Sequence, residues 1–184
     1  MAYAMPLAIL LLVPAGLLMF FLRDPGRTPP AGDVILSPAD GKIVELAEEG
    51  EWTKIAIFMD LTNVHVQWVP YPGRVISIER FDGPAKPAFL PEAASNKRVI
   101  STIETKMGKL ILKQIVGILV RRIETFVKVG DDIKLGQRFG RIVFGSRVEL
   151  WLPKDRGNVL VHKGQRVLAG KTILASPLPS KKYP

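Results

Sequence analysis

Cysteine is absent from this 184-residue chain, and histidine occurs only twice, at His65 and His162. The lack of cysteine excludes disulfide bonds, thiolate nucleophiles and the cysteine-rich zinc sites that stabilise many small domains. The two histidines lie far apart and neither has a spacing typical of metal ligands, so no metal site is predicted. The domain must instead be stabilised by a packed core, for which the chain is long enough.

Acidic residues are also scarce relative to basic ones. Lys and Arg number 26 against 17 Asp and Glu, which gives a formal net charge of +9. Residues 146–184 alone contain eight Lys or Arg and two Asp or Glu. A basic surface of this kind is typical of proteins that meet nucleic acid or an anionic membrane. Aromatic residues make up only 8% of the chain, are not interleaved with the basic ones and accompany no nucleic-acid motif. We therefore expect a membrane partner and no nucleic acid.

Charged residues are missing altogether from residues 1–22. At about 1.5 Å per residue, a helix of this length would reach roughly 30 Å, the thickness of a bilayer core. We expect residues 1–22 to form a retained membrane anchor; a signal peptide and a helix lying in the membrane interface are the alternatives. Arg23 and Arg27 flank only the C-terminal end of this segment. This asymmetry predicts that the rest of the chain lies on the cytoplasmic face of the cell membrane.

Residues 23–33 are rich in proline and glycine and are predicted to link the anchor to a single domain formed by residues 34–184. Short apolar runs in that domain alternate with polar residues and end at turns that contain glycine, which predicts a mainly β fold. Residues 99–104 and 109–113 are predicted to form a hairpin that turns at Gly108.

A weak internal repeat occupies the last third of the chain. Glycines and large apolar residues alternate at three-residue spacings in residues 130–139, and the pattern returns 34 residues later in residues 164–173. Its members are Gly130, Ile133, Gly136 and Phe139, and then Gly164, Val167, Gly170 and Ile173. Such glycine turns are typical of U-shaped hairpins, as in biotinyl and lipoyl carrier domains. We expect a barrel-like sandwich with glycine-turn hairpin repeats.

A Gly-Ser pair, Gly145–Ser146, lies between the two repeats, where an apolar run bends and then resumes. Glycine leaves its carbonyl open to approach. If the fold strains this peptide bond, the Ser146 hydroxyl can attack the Gly145 carbonyl and convert the amide into an ester. β-Elimination of the ester would leave dehydroalanine, whose hydrolysis gives a pyruvoyl group at a new N-terminus. Gly-Ser pairs are common in turns, so the pair alone does not distinguish this chemistry from an ordinary turn.

The residues that accompany the pair are more specific. Motifs follow one another along the chain at residues 23–27, 37–42, 63–70, 114–122 and 138–148. In this order, and over a span from Arg23 to about Ala175, they resemble the phosphatidylserine decarboxylase family in its short proenzyme form. Archaetidylserine decarboxylases form one branch of the family that the chain resembles.

The resemblance implies an enzyme, a carboxy-lyase that cleaves itself between Gly145 and Ser146 into a two-chain heterodimer. Further oligomerisation is left open. Ser146 would become the pyruvoyl cofactor, which forms a Schiff base with a serine-headed phospholipid and releases carbon dioxide to leave the ethanolamine lipid. The substrate would be phosphatidylserine or the ether-linked archaetidylserine, which share the reacting headgroup.

The resemblance also implies roles for Asp40 and His65. Residue type alone makes Asp40 a turn residue, whereas by resemblance it would orient a histidine or another base near the cleavage site. His65 would assist either cleavage or decarboxylation. Longer members of the family carry a second histidine three residues further on, where this chain has Trp68.

Four polar residues are candidates for binding the lipid phosphate or carboxylate, namely Asn96, Arg98, Arg121 and Arg122. Asn96 and Arg98 resemble an Asn-x-Arg element of the family, with a polar strand start as the alternative. The planar guanidinium groups of Arg121 and Arg122 suit a phosphate or carboxylate, and a solvated strand end is the alternative.

Two other interpretations remain open at the level of sequence. The glycine repeat is compatible with a membrane-tethered carrier or adaptor domain, which would need a lysine at a hairpin tip. Lys134 and Lys171 lack the Met or Asp that usually flanks such a lysine. An inactive protein of the same fold is the other interpretation, because Trp68 replaces a histidine.

Overall fold

The computed structural model describes residues 12, 15, 16, 18–118, 122–142 and 145–178. Apart from helical residues before Leu22, the described part of the chain forms fourteen β-strands and one 3-10 helix at Pro91–Ser95, so the prediction of a mainly β domain is confirmed. The strands are β1 (Ile35–Leu36), β2 (Gly41–Glu49), β3 (Trp52–Met59), β4 (Val66–Trp68), β5 (Gly73–Phe81), β6 (Arg98–Thr105), β7 (Gly108–Ile115), β8 (Ile123–Thr125), β9 (Asp132–Ile133), β10 (Arg138–Ile142), β11 (Ser146–Pro153), β12 (Gly157–Val159), β13 (Arg166–Val167) and β14 (Ile173–Pro177).

The largest sheet has eight antiparallel strands in the order β13-β2-β3-β11-β7-β6-β5-β9. Strand β11 lies inside this sheet, and its alternating residues Val148 and Leu150 are fully buried. The predicted hairpin of β6 and β7 is confirmed. Its turn uses Gly108, whose φ of +105° is in the left-handed region that favours glycine.

The glycine repeat connects different sheets. β9 pairs with β5 at one edge of the eight-stranded sheet, and β13 pairs with β2 at the other edge. The next strand of each repeat is the middle strand of a three-stranded sheet, β4-β10-β8 in the first repeat and β1-β14-β12 in the second. Gly136 and Gly170, with φ of +71° and +65°, turn the chain between the sheets. The predicted hairpins are therefore wrong, and within the described residues the large sheet ends in two edges and does not close.

The larger hydrophobic core lies between the eight-stranded sheet and the two small sheets. It combines side chains of the large sheet, such as Ile57 and Leu150, with Phe139 of β10 and Leu174 of β14. All four are fully buried, and burying a side chain of this size contributes about 1.5–3 kcal/mol. The core thereby fixes the relative positions of β10 and β11, the strands on either side of the Gly145–Ser146 pair.

The predicted membrane anchor falls mostly outside the described residues. Of residues 1–22, only 12, 15, 16 and 18–22 are described, and residues 18–21 are helical. In the part of the chain that the structure describes, no helix has the length and apolar character needed to cross a bilayer.

Residues 23–33 contain no strand or helix, yet they are attached to the domain. Asp24 forms an ion pair with Arg138 of β10. The hydroxyl of Tyr71 donates a hydrogen bond of 2.6 Å to the carboxylate of Asp33. This segment therefore belongs to the surface of the domain and is more than a spacer.

Candidate active site

The Gly145–Ser146 pair lies at the start of the interior strand β11. Ser146 is paired with Met59 on β3, and the following residue, Arg147, is paired with Ile115 on β7. Gly145 has a φ of +52°, a left-handed conformation that is strained for residues with a Cβ. Ser146 is fully buried. The pair thus combines a backbone bend that glycine adopts readily with a serine hydroxyl shielded from bulk water.

The carbonyl of Gly145 packs directly against Gly117, just beyond the end of β7. A Cβ built on Gly117 would lie 1.8 Å from the Gly145 oxygen and 3.5 Å from the Cβ of Ala88. The first separation is far below any real contact, so a side chain at position 117 would displace the carbonyl of Gly145. Gly117 belonged to one of the sequence motifs, and this packing explains why a glycine is needed there.

The Ser146 hydroxyl borders a buried cluster of polar side chains. Its Oγ lies 3.4 Å from the sulfur of Met59, and the Nε2 of Gln67 lies 3.7 Å from the same sulfur. The Oε1 of Gln67 accepts a hydrogen bond of 2.9 Å from the Nε2 of Gln114. All four residues are fully buried, and a thioether sulfur is only a weak acceptor. Sequence reasoning missed Met59 and Gln67, because they occupy ordinary strand positions and only the fold brings them to Ser146.

His65 lies immediately before β4 and is buried, with 3% of its surface exposed. Its carbonyl accepts hydrogen bonds from the Gln67 side chain at 2.7 Å and from the backbone N–H of Ile142 at 3.2 Å. Ile142 ends β10, three residues before Gly145, so the fold brings His65 to the strand that leads into the pair. Burial is the main cause that lowers the pKa of His65 from its ordinary value of 6.5. The imidazole is therefore neutral at neutral pH and can accept a proton.

The carboxylate of Asp40 is bound by the segment that precedes the domain. Arg27 donates to both of its oxygens, and the backbone N–H of Ala169 donates to Oδ1 at 2.8 Å. The guanidinium of Arg27 also lies 4.6 Å from the ring centre of Trp68, the residue that replaces a second histidine. The negative charge of Asp40 is the smallest of the influences that raise the pKa of His65, after a hydrogen bond with the backbone of Asn63 and the charge of Asp60.

Asn96, one of the four predicted anion-binding residues, is fully buried, and its side chain binds backbone groups of two separate segments. Its Oδ1 accepts a hydrogen bond from the backbone N–H of Lys86, and its Nδ2 donates to the carbonyls of Lys86 and Val116. These bonds hold the loop before β6 against the end of β7. In this arrangement Asn96 shapes the surroundings of Gly117 and Gly145, and its side chain makes no contact with solvent.

Arg98 and Arg122 line one surface cleft of about 330 Å³, whose walls also include Arg80 and Lys97. Arg122 pairs with Glu124 at 2.7 Å and Lys97 with Asp82 at 3.7 Å, and Arg80 and Arg98 add positive charge that makes this cleft attractive to an anion. Strand register pairs Arg98 on β6 with Ile115 on β7, and Ile115 with Arg147 on β11. Arg98 therefore lies about 10 Å from Arg147 across the sheet, on the face opposite the side chain of Ser146. Arg121, the fourth predicted residue, lies outside the described residues.

A buried charge that sequence reasoning missed directly follows Ser146. Arg147 has 1% of its surface exposed; it donates to Glu149 through Nε at 2.7 Å and to Glu45 through NH2 at 2.5 Å. The indole Nε1 of Trp151 donates to the other oxygen of Glu149 at 2.9 Å. Alternation along β11 places Arg147 and Glu149 on the face opposite Ser146, which a sequence pattern assigns to solvent. The fold instead buries this ion network beside the first residue of β11.

Comparison with known proteins agrees with this arrangement. A family model described as phosphatidylserine decarboxylase matches residues 15–175. The chain belongs to the phosphatidylserine decarboxylase family. The resemblance indicated by the sequence motifs is therefore confirmed, and the matched region contains Asp40, His65 and the Gly145–Ser146 pair.

Other members of the phosphatidylserine decarboxylase family are similar over most of the chain. A protein of Methanosarcina mazei named as an archaetidylserine decarboxylase proenzyme is 42% identical over 160 residues, which cover 86% of this chain and 74% of that protein. A protein of Halobacterium salinarum with the same name is 42% identical over 165 residues, covering 88% and 81%. A protein of Carboxydothermus hydrogenoformans named phosphatidylserine decarboxylase proenzyme is 41% identical over 165 residues, covering 85% and 78%. These similarities favour a decarboxylase over a carrier domain.

Proposed function

We propose that this chain is the proenzyme of a pyruvoyl-dependent decarboxylase that acts on a serine-headed phospholipid. The chain first cleaves itself between Gly145 and Ser146. The mature enzyme then converts a phosphatidylserine-type lipid into the phosphatidylethanolamine type with release of carbon dioxide. The observation that carries this proposal is the junction itself, where a left-handed glycine, its carbonyl packed on Gly117, precedes a fully buried serine.

Self-cleavage needs only groups of the chain and water. The Oγ of Ser146 loses its proton and attacks the carbonyl carbon of Gly145; the C–N bond breaks, the nitrogen takes up a proton, and an ester results. Removal of the α-proton of residue 146 expels the Gly145 carboxylate and leaves dehydroalanine, whose hydrolysis releases ammonia and leaves a pyruvoyl group. We assign proton transfer to His65, because burial keeps its imidazole neutral and its backbone is hydrogen-bonded to the strand that leads into the junction. Asp40 would orient this base, as the family resemblance implies.

The surroundings of position 146 fit a pyruvoyl group. The position is buried beside Met59 and the amide pair of Gln67 and Gln114, so bulk water is excluded and electrostatic interactions are strong. When formed, the pyruvoyl group supplies an electrophilic carbonyl that condenses with the substrate amine and withdraws electrons as carbon dioxide leaves. His65 would return a proton to the α-carbon of the substrate.

The cationic cleft is the proposed site for the lipid phosphate. Arg80, Arg98 and Arg122 supply three guanidinium groups to it, and Arg121 stays a proposed phosphate ligand because it precedes Arg122 in the sequence. Guanidinium groups bind phosphate oxygens in pairs, which also orients the headgroup. Asn96 would support binding indirectly, because it holds the loop that leads into Arg98.

The membrane is the proposed site of action. Residues 1–22 would hold the two-chain enzyme on the cell membrane, with residues 34–184 on the cytoplasmic face, because Arg23 and Arg27 follow the apolar segment. An anionic lipid headgroup and a chain of net charge +9 attract each other.

An archaetidylserine decarboxylase is the second candidate, because two relatives at 42% identity carry that name. The reacting headgroup is the same in both lipids, and the difference lies in ester or ether linkage of the chains. Turnover of diacyl and diether serine lipids, compared in mixed micelles at equal surface concentration, discriminates between the two candidates.

Mass spectrometry of the intact purified protein tests the proposed function. We expect two chains, residues 1–145 and residues 146–184, because the ester intermediate resolves by chain scission. The smaller chain should resist N-terminal sequencing and should gain mass with hydroxylamine, a reagent for carbonyl groups. A single uncleaved chain in a folded sample would contradict the proposal and favour the inactive or carrier interpretation.

Replacing His65 with alanine is expected to slow self-cleavage, decarboxylation or both by about 10²–10⁴-fold, the usual contribution of a general acid–base group. Because the folded-state pKa of His65 is lowered below 6.5, the imidazole stays neutral above that pH and becomes protonated only at more acidic pH. A step that uses neutral His65 should therefore slow only below about pH 6.5, and this acidic limb should vanish in His65→Ala.

His162→Ala is the matched control for this experiment, since His162 is the other histidine of the chain and is exposed. It should cleave and turn over as the unmodified protein does. Unchanged rates of both steps in His65→Ala would make His65 a structural residue.

A further inference from the structure

An apolar recess of about 210 Å³ opens beside the cleavage site. Phe58, Leu61, Phe89 and Ile118 line it together with Gly145. The rings of Phe58 and Phe89 meet edge to face, with 5.8 Å between their centres. The recess therefore has a defined aromatic wall on the strand that pairs with β11.

The rim of this recess is exposed although it is apolar. The exposed fractions are 42% for Leu61, 54% for Phe89, 38% for Leu90 and 54% for Ile118. We call these four residues the apolar rim. They come from three separate segments of the chain, and apolar patches that gather in this way on a protein surface mark interaction sites.

Buried hydrogen bonds hold the apolar rim together. The Nδ2 of Asn96 donates to the carbonyls of Lys86 and Val116, both at 2.8 Å. Lys86 lies three residues before Phe89, and Val116 lies two residues before Ile118. The fully buried Asn96 side chain therefore keeps two of the rim segments beside each other. The position of the rim is thus fixed by hydrogen bonds inside the fold.

The apolar N-terminal segment meets the domain at the same place. Arg23 donates to the carbonyl of Thr62, next to Leu61 of the apolar rim, and its guanidinium lies 3.9 Å from the ring centre of Phe20. Among the described residues before Arg23, the exposed large apolar ones are Leu12, Leu18, Met19, Phe20 and Leu22. Arg23 thus lies between Leu61 and the apolar side chains that precede it. In a lipid layer the anionic headgroups border the hydrocarbon, so a cation flanked by apolar side chains fits this boundary.

We propose that the apolar rim inserts into the hydrocarbon of an anionic lipid bilayer and that the recess receives a hydrocarbon chain of the bound lipid. This inference rests on the proposed function, because it names the surface through which a membrane lipid reaches residue 146. Gly145 lines the recess, so a lipid that enters there brings its headgroup to the cleavage site without leaving the membrane. Inserting the rim also removes its apolar surface from water, at about 25 cal/mol per Å².

The absence of cysteine allows a direct test in the full-length protein. Phe89→Cys and Ile118→Cys are labelled with an environment-sensitive fluorophore and reconstituted into phosphatidylcholine–phosphatidylglycerol vesicles that contain lipids brominated along the acyl chains. We expect bromine to quench both labels at least twofold and iodide in the water to quench them weakly. Leu160→Cys is the matched control, because Leu160 is also 54% exposed but follows β12 in another sheet. Its label should respond to iodide and not to bromine.

The outcomes separate this inference from the proposed function. Equal iodide quenching at positions 89, 118 and 160 overturns the proposal that the apolar rim inserts into the membrane, even if the protein is cleaved and active. Shielding of positions 89 and 118 from both quenchers also overturns it, since a second protein copy would then cover the rim. Bromine quenching in a chain that never cleaves supports the surface while contradicting the proposed function. Ile118→Cys keeps the test decisive if losing the Phe58 ring contact unfolds Phe89→Cys.

Discussion

Replacing Ser146 with alanine should leave the protein as one chain and reduce decarboxylation to the level of a sample without enzyme. The hydroxyl is the only nucleophile adjacent to the Gly145 carbonyl in this proposal, and the same residue is the precursor of the cofactor. One substitution therefore removes both steps. Because the Oγ contacts only the weak acceptor Met59 among the hydrogen-bonding partners described, the fold should persist. Intact mass measures self-cleavage, circular dichroism measures folding, and carbon dioxide release measures decarboxylation.

Ser101→Ala is the matched control for Ser146→Ala. Ser101 is also fully buried on a strand of the large sheet, and its hydroxyl has no hydrogen-bond partner among the described residues. This variant should cleave and turn over normally. Two chains in Ser146→Ala, or decarboxylation above the blank, would remove the pyruvoyl mechanism.

Replacing Arg147 with alanine should lower the free energy of unfolding by about 3–5 kcal/mol, the usual cost of removing one partner from a buried ion pair. Glu149, with 2% of its side chain exposed, would keep its charge in the interior and lose its closest cation. Glu45 would lose a partner as well but retain Lys54. Arg147 holds the first residues of β11 in place through these ion pairs, so its loss should also loosen residue 146 and slow self-cleavage.

Urea unfolding in the Ser146→Ala background measures this effect on a single uncleaved chain, so that both states remain unimolecular. Lys154→Ala is the matched control, since Lys154 pairs with Glu48 at the surface, where both side chains are more than half exposed. It should change the free energy of unfolding by about 0–1 kcal/mol. An equally small effect for Arg147→Ala would show that the buried network does not stabilise β11.

The candidate junction could be proposed from the sequence because Gly145 and Ser146 are neighbours in the chain. The motifs around Asp40, His65 and Gly117 led to the family, and the family resemblance singled out this pair among ordinary turns. Their spatial roles were less accessible. The contacts of the Asp40 carboxylate with Arg27 and with the backbone of Ala169, 13 and 129 positions away, come only from the tertiary structure.

The class of fold was predicted correctly from the sequence, whereas the strand pairing within the glycine repeats was predicted wrongly. Alternation of apolar residues predicted the strands and the β6–β7 hairpin, since local periodicity follows the backbone geometry of a strand. The glycine repeat predicted turns at the right residues, but turn geometry does not specify which strand becomes a partner. β9 and β13 pair at opposite edges of the large sheet because the core draws the following strands, β10 and β14, into separate small sheets.

The amino-acid sequence by itself determined the family, the mainly β fold and the candidate junction at Gly145 and Ser146, because each depends on local order or on motifs in series. Only the tertiary structure decided that Gly117 supports the Gly145 carbonyl, that Met59 and Gln67 border Ser146, and that the Arg147 network is buried. The contacts of Gly117 with Gly145, of Met59 with Ser146 and of Arg147 with Glu45 join residues that lie 28 or more positions apart. Such contacts form only when strands pair and pack, and no local pattern in the sequence records them.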